Sequence, residues 1–431
     1  MIGIDKKKVF PIKQGVACQL KWTWNTVRLL ESTSACCHRV SPISLTPETF
    51  QNFHNHPTWI DHRNMQLEGK FPQQGCHVCE KVEKSGGMSD RLLHLSEVDI
   101  YPPELDVDPL AVNVTPRILE VFLNNACNLA CIYCDESNSS RIQKENKKFG
   151  YAVPGVEYSA VDDSKNIIRY VIPNNRYQEM LSQFFTYLGN NSDNLRRLNI
   201  LGGEPFYQKE FHTLINFITE RNNPNLILTV FSNLMASRPV LENFVDKMKH
   251  SLASRRLRRV VITASIDCFG PEQAYVRYGI ELDQWMSNFE YLLSHKWLYV
   301  NINNTITSLT IKTLPELLKY INEHRKYRSI NHAFSLVDGR PHLHPEIFGS
   351  GFFDDDFEKT ILLMPETSQW ELNLKSHMKG IQQSLKAGES DYKLQKQLKL
   401  YLDEIDRRRS VSWPNTFPWL YKHFKGNINV V

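Results

Sequence analysis

The sequence predicts an α/β chain in which strands and helices alternate from about position 115 onward, preceded by a small cysteine-rich module and followed by a helical extension. Three observations carry this. Six short apolar runs rich in strand-forming residues recur along the chain, each ending in a polar turn: Ile118–Leu123, Leu195–Leu201, Leu226–Phe231, Arg259–Ile266, Leu298–Ile306 and Ile330–Val337. Helical patterns lie between several of them, as over Arg176–Leu188, Phe211–Arg221 and Leu314–Arg325. Eight of the nine cysteines fall in the first third of the 431 residues, which sets the N-terminal part apart. The predicted boundaries are 1–110 for the module, 111–345 for the alternating unit and 346–431 for the extension.

Composition bounds the class. With 41% hydrophobic and 23% charged residues the chain reads as an ordinary globular protein. A net charge of +4 is too mild to imply a nucleic-acid partner. No apolar run approaches the ~18 residues of a membrane span. Met1–Gln14 is lysine-rich without the apolar core of a signal peptide, so a cytoplasmic location is the default expectation. In such a reducing compartment, clustered cysteines indicate metal rather than disulfides.

The most informative stretch is Cys127-Asn-Leu-Ala-Cys131-Ile-Tyr-Cys134, directly after the first strand. Thiolates on one loop are soft ligands for an iron–sulfur cluster or zinc. A closed structural site takes four protein ligands. Three local cysteines leave one metal position open to a substrate or cofactor, with a zinc knuckle completed from elsewhere as the plain alternative. The second strand ends in Gly202-Gly203-Glu204-Pro205, where glycines allow close backbone approach to a ligand and a carboxylate accepts from an ammonium. Ser232-Asn233 ends the third strand, and Ser265-Ile-Asp267 ends the fourth, with Ser265 and Asp267 on one side by the period of two. Strand-end caps and turns explain these polar residues equally well.

This C-x3-C-x2-C spacing, with Tyr133 before the last cysteine and Gly-Gly-Glu-Pro after the next strand, closely resembles the radical S-adenosylmethionine (SAM) enzymes. The resemblance implies a partial (β/α)6, TIM-like barrel. It implies that Cys127, Cys131 and Cys134 hold a [4Fe–4S] cluster whose fourth iron is chelated by SAM. One electron then cleaves SAM to a 5′-deoxyadenosyl radical that abstracts hydrogen. By position, Tyr133 would pack near adenine, and Gly202, Gly203, Glu204 and Pro205 would hold the SAM amino group. Ser232, Asn233 and Ser265 would lie near its methionine or ribose, Asp267 would face the ribose, and Arg277 would pair with the carboxylate. A low-potential donor such as flavodoxin or ferredoxin is the implied electron source. Parallel barrels bind ligands at the C-terminal ends of their strands, where all these motifs fall.

Upstream, Cys18, one of Cys36 or Cys37, Cys76 and Cys79 make a full four-thiolate set, which suits zinc or a [4Fe–4S] cluster equally. The set resembles the twitch half of a SPASM-type domain, which carries an auxiliary [4Fe–4S] cluster and in most of that family follows the barrel. Here it precedes it. That resemblance favours Cys36 over Cys37. The remaining residues attract plainer readings. Arg91 reads as a surface arginine, with neutralisation of the site as the other reading. His54, His56 and His62 read as solvated loop histidines. The run Arg255–Arg259 reads as a solvated connection. Asp135–Asn175 lacks clear periodicity and reads as a lid or a surface insertion, and the aromatic end Trp413–Tyr421 as a core seal or a channel lining. Cys268, beside Asp267, is a candidate hydrogen-atom donor, against the usual role of a lone cysteine as buried packing.

The expected function is thus a radical SAM oxidoreductase or peptide-modifying enzyme with an auxiliary cluster, acting on a peptide or protein by crosslinking or epimerisation. The alternatives are a radical SAM dehydrogenase of a small alcohol, and a non-catalytic zinc-binding adaptor.

Overall fold

The computed structural model describes residues 18–29, 32–36, 43–72, 76–84, 89, 91–92, 110–157, 174–385 and 388–427. Among these the strands are, in chain order, β1 (Trp24–Arg28), β2 (Ser32–Ser34), β3 (Ile43–Ser44), β4 (Ile118–Phe122), β5 (Ala130–Cys131), β6 (Arg197–Leu201), β7 (Ile227–Ser232), β8 (Arg259–Ser265), β9 (Arg277–Tyr278), β10 (Tyr299–Ile306) and β11 (Asn331–Leu336). The chain divides into two compact units. One comprises Met1–Asn124, Val171–Val230 and Glu242–Val261; the other comprises Asn125–Tyr170, Phe231–Leu241 and Ile262–Val431.

In the first unit the strand order is β3-β2-β1-β4-β6-β7, with the start of β8 next. β4 lies parallel to both β1 and β6, with Ile118 opposite Trp24 on one side and Arg197 on the other. β6 continues parallel to β7, and β2 returns antiparallel to β1. The runs of β4, β6 and β7 are nearly continuous in apolar and β-branched residues, as strands buried on both faces require. This division differs from the expected boundary at 110. The N-terminal segment contributes β1 directly beside β4, and Cys18, Leu20 and Trp24 share a buried cluster with Ile118, Ile227 and Val261. Leu20–Leu30 has the content of one strand, but Leu20–Thr23 makes a helical turn, with Thr23 Oγ1 donating to the Gln19 carbonyl, before β1 begins.

The helix Pro57–Leu67 starts with proline at its first position and His56 accepting from the Thr58 N–H. Its buried face carries Trp59, His62, Arg63 and Gln66. Arg63 donates to the carbonyls of His54 (3.2 Å) and Val112 (3.1 Å). His54 is not a solvated histidine. It is buried, with Asn25 Nδ2 3.1 Å from its Nδ1 and its Nε2 3.0 Å from the Trp22 carbonyl. Burial pushes its pKa down to about 3, and that of the likewise buried His62 down to about 4.

In the second unit β8 is followed by β10 and β11, which lie parallel with Asn301 opposite Asn331. Leu314–Arg325 forms the helix between β10 and β11. The C-terminal extension folds as Asp354–Leu363, Gln369–Leu385, Tyr392–Arg409, Trp413–Thr416 and Pro418–Gly426. Trp413, Phe417, Leu420 and Phe424 are buried, so this aromatic end seals a core. The stretch after Cys134 is more ordered than its polarity predicts. Ser140–Phe149 is a helix, capped by Ser139 accepting from the Ile142 N–H and stopped at Gly150, whose φ is 90°. The rest of the expected lid, 158–173, lies outside the described residues, as do Cys37 and most of the linker before 110.

His54 and His62 stay neutral when folded but bind protons near pH 6.5 when unfolded, so the unfolded state takes up more protons below that pH. Stability is therefore full above about pH 6.5 and falls as pH drops towards 4. Urea midpoints measured from pH 7.5 to 5 should decline, and His54→Gln should flatten that decline.

Candidate functional site

The three-cysteine loop is built within the second unit. Its middle, β5, pairs antiparallel with β9, setting Cys131 opposite Arg277, and Ile132 N–H donates to the Val276 carbonyl at 2.9 Å. Side chains from elsewhere hold the loop's carbonyls. Arg141 donates to Asn128 O at 2.7 Å, Arg340 to Cys134 O at 2.9 Å, and the Tyr401 hydroxyl to Ile132 O. Cys127 N–H donates to Ser140 Oγ at 3.2 Å, and Asn233 Nδ2 donates to Asn128 Oδ1 at 2.9 Å. The loop is thus fixed by donors from several separate elements before any ligand arrives. Sequence reasoning missed Arg141, Arg340 and Tyr401. Nothing local to the cysteines announces them, since they act on backbone carbonyls from distant positions.

Cys131 is buried, and Cys127 and Cys134 are half-buried. Burial raises the thiol pKa of Cys131 and Cys134, and for Cys134 the neighbouring Asp135, Cys131 and Cys127 raise it further. Thiols so opposed to ionisation as Cys131 and Cys134 need a cationic partner to become thiolates, and an iron–sulfur core would supply that charge. The donor set fits a cluster with one open iron.

Beside the loop lies a buried ion pair. Asp267 is fully buried and accepts both Nε and Nη2 of Arg277 at 2.8 Å. Its carboxylate also accepts the Tyr133 hydroxyl at 2.6 Å and the Thr305 N–H at 2.9 Å. Asp267 and Arg277 thus pair with each other, and Tyr133 places its hydroxyl on the same carboxylate. Ser232 and Asn233 form a turn, accepting the N–H groups of Leu234 (3.0 Å) and Met235 (2.9 Å). Ser265, the last residue of β8, is half-buried. Cys268 packs in the interior. It is fully buried, its thiol 3.5 Å from Gln273 Oε1, and burial holds its pKa well above the usual thiol range.

In the first unit, Gly202-Gly203-Glu204-Pro205 follows β6. Gly202 has φ 80°, and a Cβ there would sit 3.1 Å from Phe122 and 3.2 Å from the Asn124 carbonyl, so only glycine fits. Gln208 Nε2 secures the turn by donating to Gly202 O (3.0 Å) and Asn124 O (3.1 Å). Glu204 is buried and accepts the Phe206 N–H at 3.3 Å, capping the short helical turn Pro205–Tyr207.

Also in the first unit, Cys18, Cys36, Cys76 and Cys79 line one small cavity of about 10 Å³ together with Leu20, Lys21, Phe71 and Arg91. All four cysteines are buried. Gln66 joins two of them, its Oε1 accepting the Cys18 N–H at 3.1 Å and its Nε2 donating to Cys76 Sγ at 3.3 Å. Arg91 is a wall of this cavity, not a surface residue; its side chain is 7% exposed and pairs with Glu83. Among the described residues no group of three or more His, Cys, Asp or Glu is placed to hold a single metal ion. The four thiols nonetheless line one space, and by donor type such a set suits zinc or a [4Fe–4S] cluster.

No family model matches the chain. A curated relative, a probable GTP 3′,8-cyclase of Methanocaldococcus jannaschii, is 22% identical over 209 residues, 48% of this chain and 55% of the relative. The chain thus spans about half the length of the curated relative it matches. Solved structures similar to it include native anSMEcpe with bound AdoMet (18% identity, TM-score 0.35, 57% of this chain and 58% of that one) and Streptococcus suis SuiB (15% identity, TM-score 0.35, 70% and 58%). The sequence match to the cyclase supports the resemblance to the radical SAM superfamily.

Removing one member of the buried pair strands the other. Arg277→Met should cost about 3–5 kcal/mol in urea unfolding, and adding Asp267→Leu should recover part of it. A loss near zero in the single variant would show that the pair is not formed.

Proposed function

We propose that the chain is a radical SAM enzyme. The observation that carries this reading is the three-cysteine loop, with its carbonyls fixed by Arg141, Arg340 and Tyr401. Cys127, Cys131 and Cys134 would hold a [4Fe–4S] cluster, which when bound supplies the electron that cleaves SAM to a 5′-deoxyadenosyl radical. The Gly202–Glu204 turn offers its backbone to the SAM amino group. Asn233 steadies the loop through Asn128, and the Asp267–Arg277–Tyr133 network fixes the loop's far side. Cys18, Cys36, Cys76 and Cys79 would hold an auxiliary [4Fe–4S] cluster, and the alternation of strands and helices suits the partial (β/α)6 barrel that the resemblance implies.

The substrate we favour is a peptide or protein, modified after hydrogen abstraction, with flavodoxin or ferredoxin as electron source. The lean towards a large substrate draws on the helical insertion Ser140–Phe149 and the long C-terminal extension of helices. The second reading is a small molecule. It draws on the curated relative, whose name carries GTP.

Anaerobically reconstituted protein with dithionite should convert SAM to 5′-deoxyadenosine, and Cys131→Ala should abolish this. Cluster-replete protein that leaves SAM intact would refute the proposal. Product mass then separates a modified peptide from a small molecule that has lost two hydrogens, and zinc in colourless protein would favour the adaptor.

A further inference from the structure

The start of the helix Ser140–Phe149 grips the cysteine loop residue by residue. Ser139 Oγ donates to Leu129 O at 2.7 Å. Ser140 Oγ accepts the Cys127 N–H at 3.2 Å, and the Ser140 N–H donates to Asn125 O at 2.7 Å. Arg141 Nη1 donates to Asn128 O at 2.7 Å. The Arg141 bond differs from the others in what it controls. Asn128 O and the Leu129 N–H belong to one peptide group, which is planar and trans, so oxygen and hydrogen point in opposite directions. Anchoring the oxygen fixes where the hydrogen aims. That N–H donates to Cys127 Sγ at 3.4 Å. A carbonyl that accepts from a cation also polarises its own amide, which makes the N–H a stronger donor.

Arg141 is itself held in place. Its guanidinium carbon lies 4.7 Å from the centre of the Tyr278 ring, a cation–π contact. It passes over Gly279, where a Cβ would collide with its Nη1. One turn further along the same helix, Glu145 accepts Nε and Nη2 of Arg409 at 2.9 and 3.2 Å. The end of the helix Tyr392–Arg409 thus tethers the helix that carries Arg141. Asn128 is fastened from its other end by Asn233, whose Nδ2 donates to its Oδ1. An N–H···S bond stabilises the more negative, reduced form of a thiolate-bound cluster and so raises its reduction potential.

We propose that Arg141 is a positioning residue: by anchoring the Asn128 carbonyl it aims the Leu129 N–H at the Cys127 sulfur and raises the reduction potential of the cluster that Cys127 helps to hold. The proposal rests on the radical SAM reading of Cys127, Cys131 and Cys134. The test uses the full chain, reconstituted anaerobically and reduced in steps. The electron paramagnetic resonance signal that changes on adding SAM reports the three-cysteine site and not the four-cysteine one. Its midpoint potential is measured, with bound iron, in the parent, Arg141→Met and Arg141→Lys. Arg141→Met should shift the midpoint downward with iron retained, and Arg141→Lys, which keeps a cationic donor, should recover most of the shift. An unchanged midpoint in Arg141→Met would overturn the proposal, while a parent that still cleaves SAM would leave the reading of the cysteines standing. If Arg141→Met loses its iron, Tyr278→Leu decides in the same way, since it removes the ring the guanidinium lies over. A parent without any SAM-responsive signal would overturn the radical SAM reading and this proposal together.

Discussion

A single buried carboxylate organises the region around the cysteine loop. Asp267 has no solvent to stabilise its charge, so its oxygens must be filled from within the protein. They are filled by the Arg277 fork, the Tyr133 hydroxyl and the Thr305 N–H, and Asn304 secures the adjoining backbone by donating to the carbonyls of Ile266 and Asp267. These donors come from the loop itself, from β9 and from β10. A charge that tolerates no vacancy thus fixes where three elements meet. The planar guanidinium matters, because two parallel bonds at 2.8 Å set orientation as well as distance.

The same logic runs at the other thiol group by different means. There Gln66 donates to the sulfur of Cys76, while Arg91 pairs with the Glu83 carboxylate. The buried face of Pro57–Leu67 is accordingly polar where a helix packed on a sheet would ordinarily be aliphatic. The helix serves the cavity as much as the core.

Much of the architecture is legible in the sequence because buried parallel strands are written in uninterrupted apolar runs. β4, β6, β7, β8, β10 and β11 each fall within a residue or two of the runs that foretell them. The helix Ser140–Phe149 is not legible, since its sole buried residue is Ile142 and its remaining positions are mostly charged or amide. The cysteines are legible as sets, and Cys18, Cys36, Cys76 and Cys79 do come together around one cavity. What composition and spacing cannot say is which complementary charges meet each other and which await a ligand. Asp267 and Arg277 stand ten residues apart in the sequence and meet as one buried ion pair in the fold. His54 likewise sits in a polar stretch, yet its neighbours in space are Asn25 and the Trp22 carbonyl.

Gln66 has a bearing on how the protein matures. One amide grips the backbone of Cys18 and the sulfur of Cys76, residues that approach from opposite sides of the helix in the chain. The thiols are thereby gathered while still protonated, since burial holds the pKa of both above its ordinary value. Any metal taken up by these thiols would have to displace their protons, so its uptake would strengthen as pH rises.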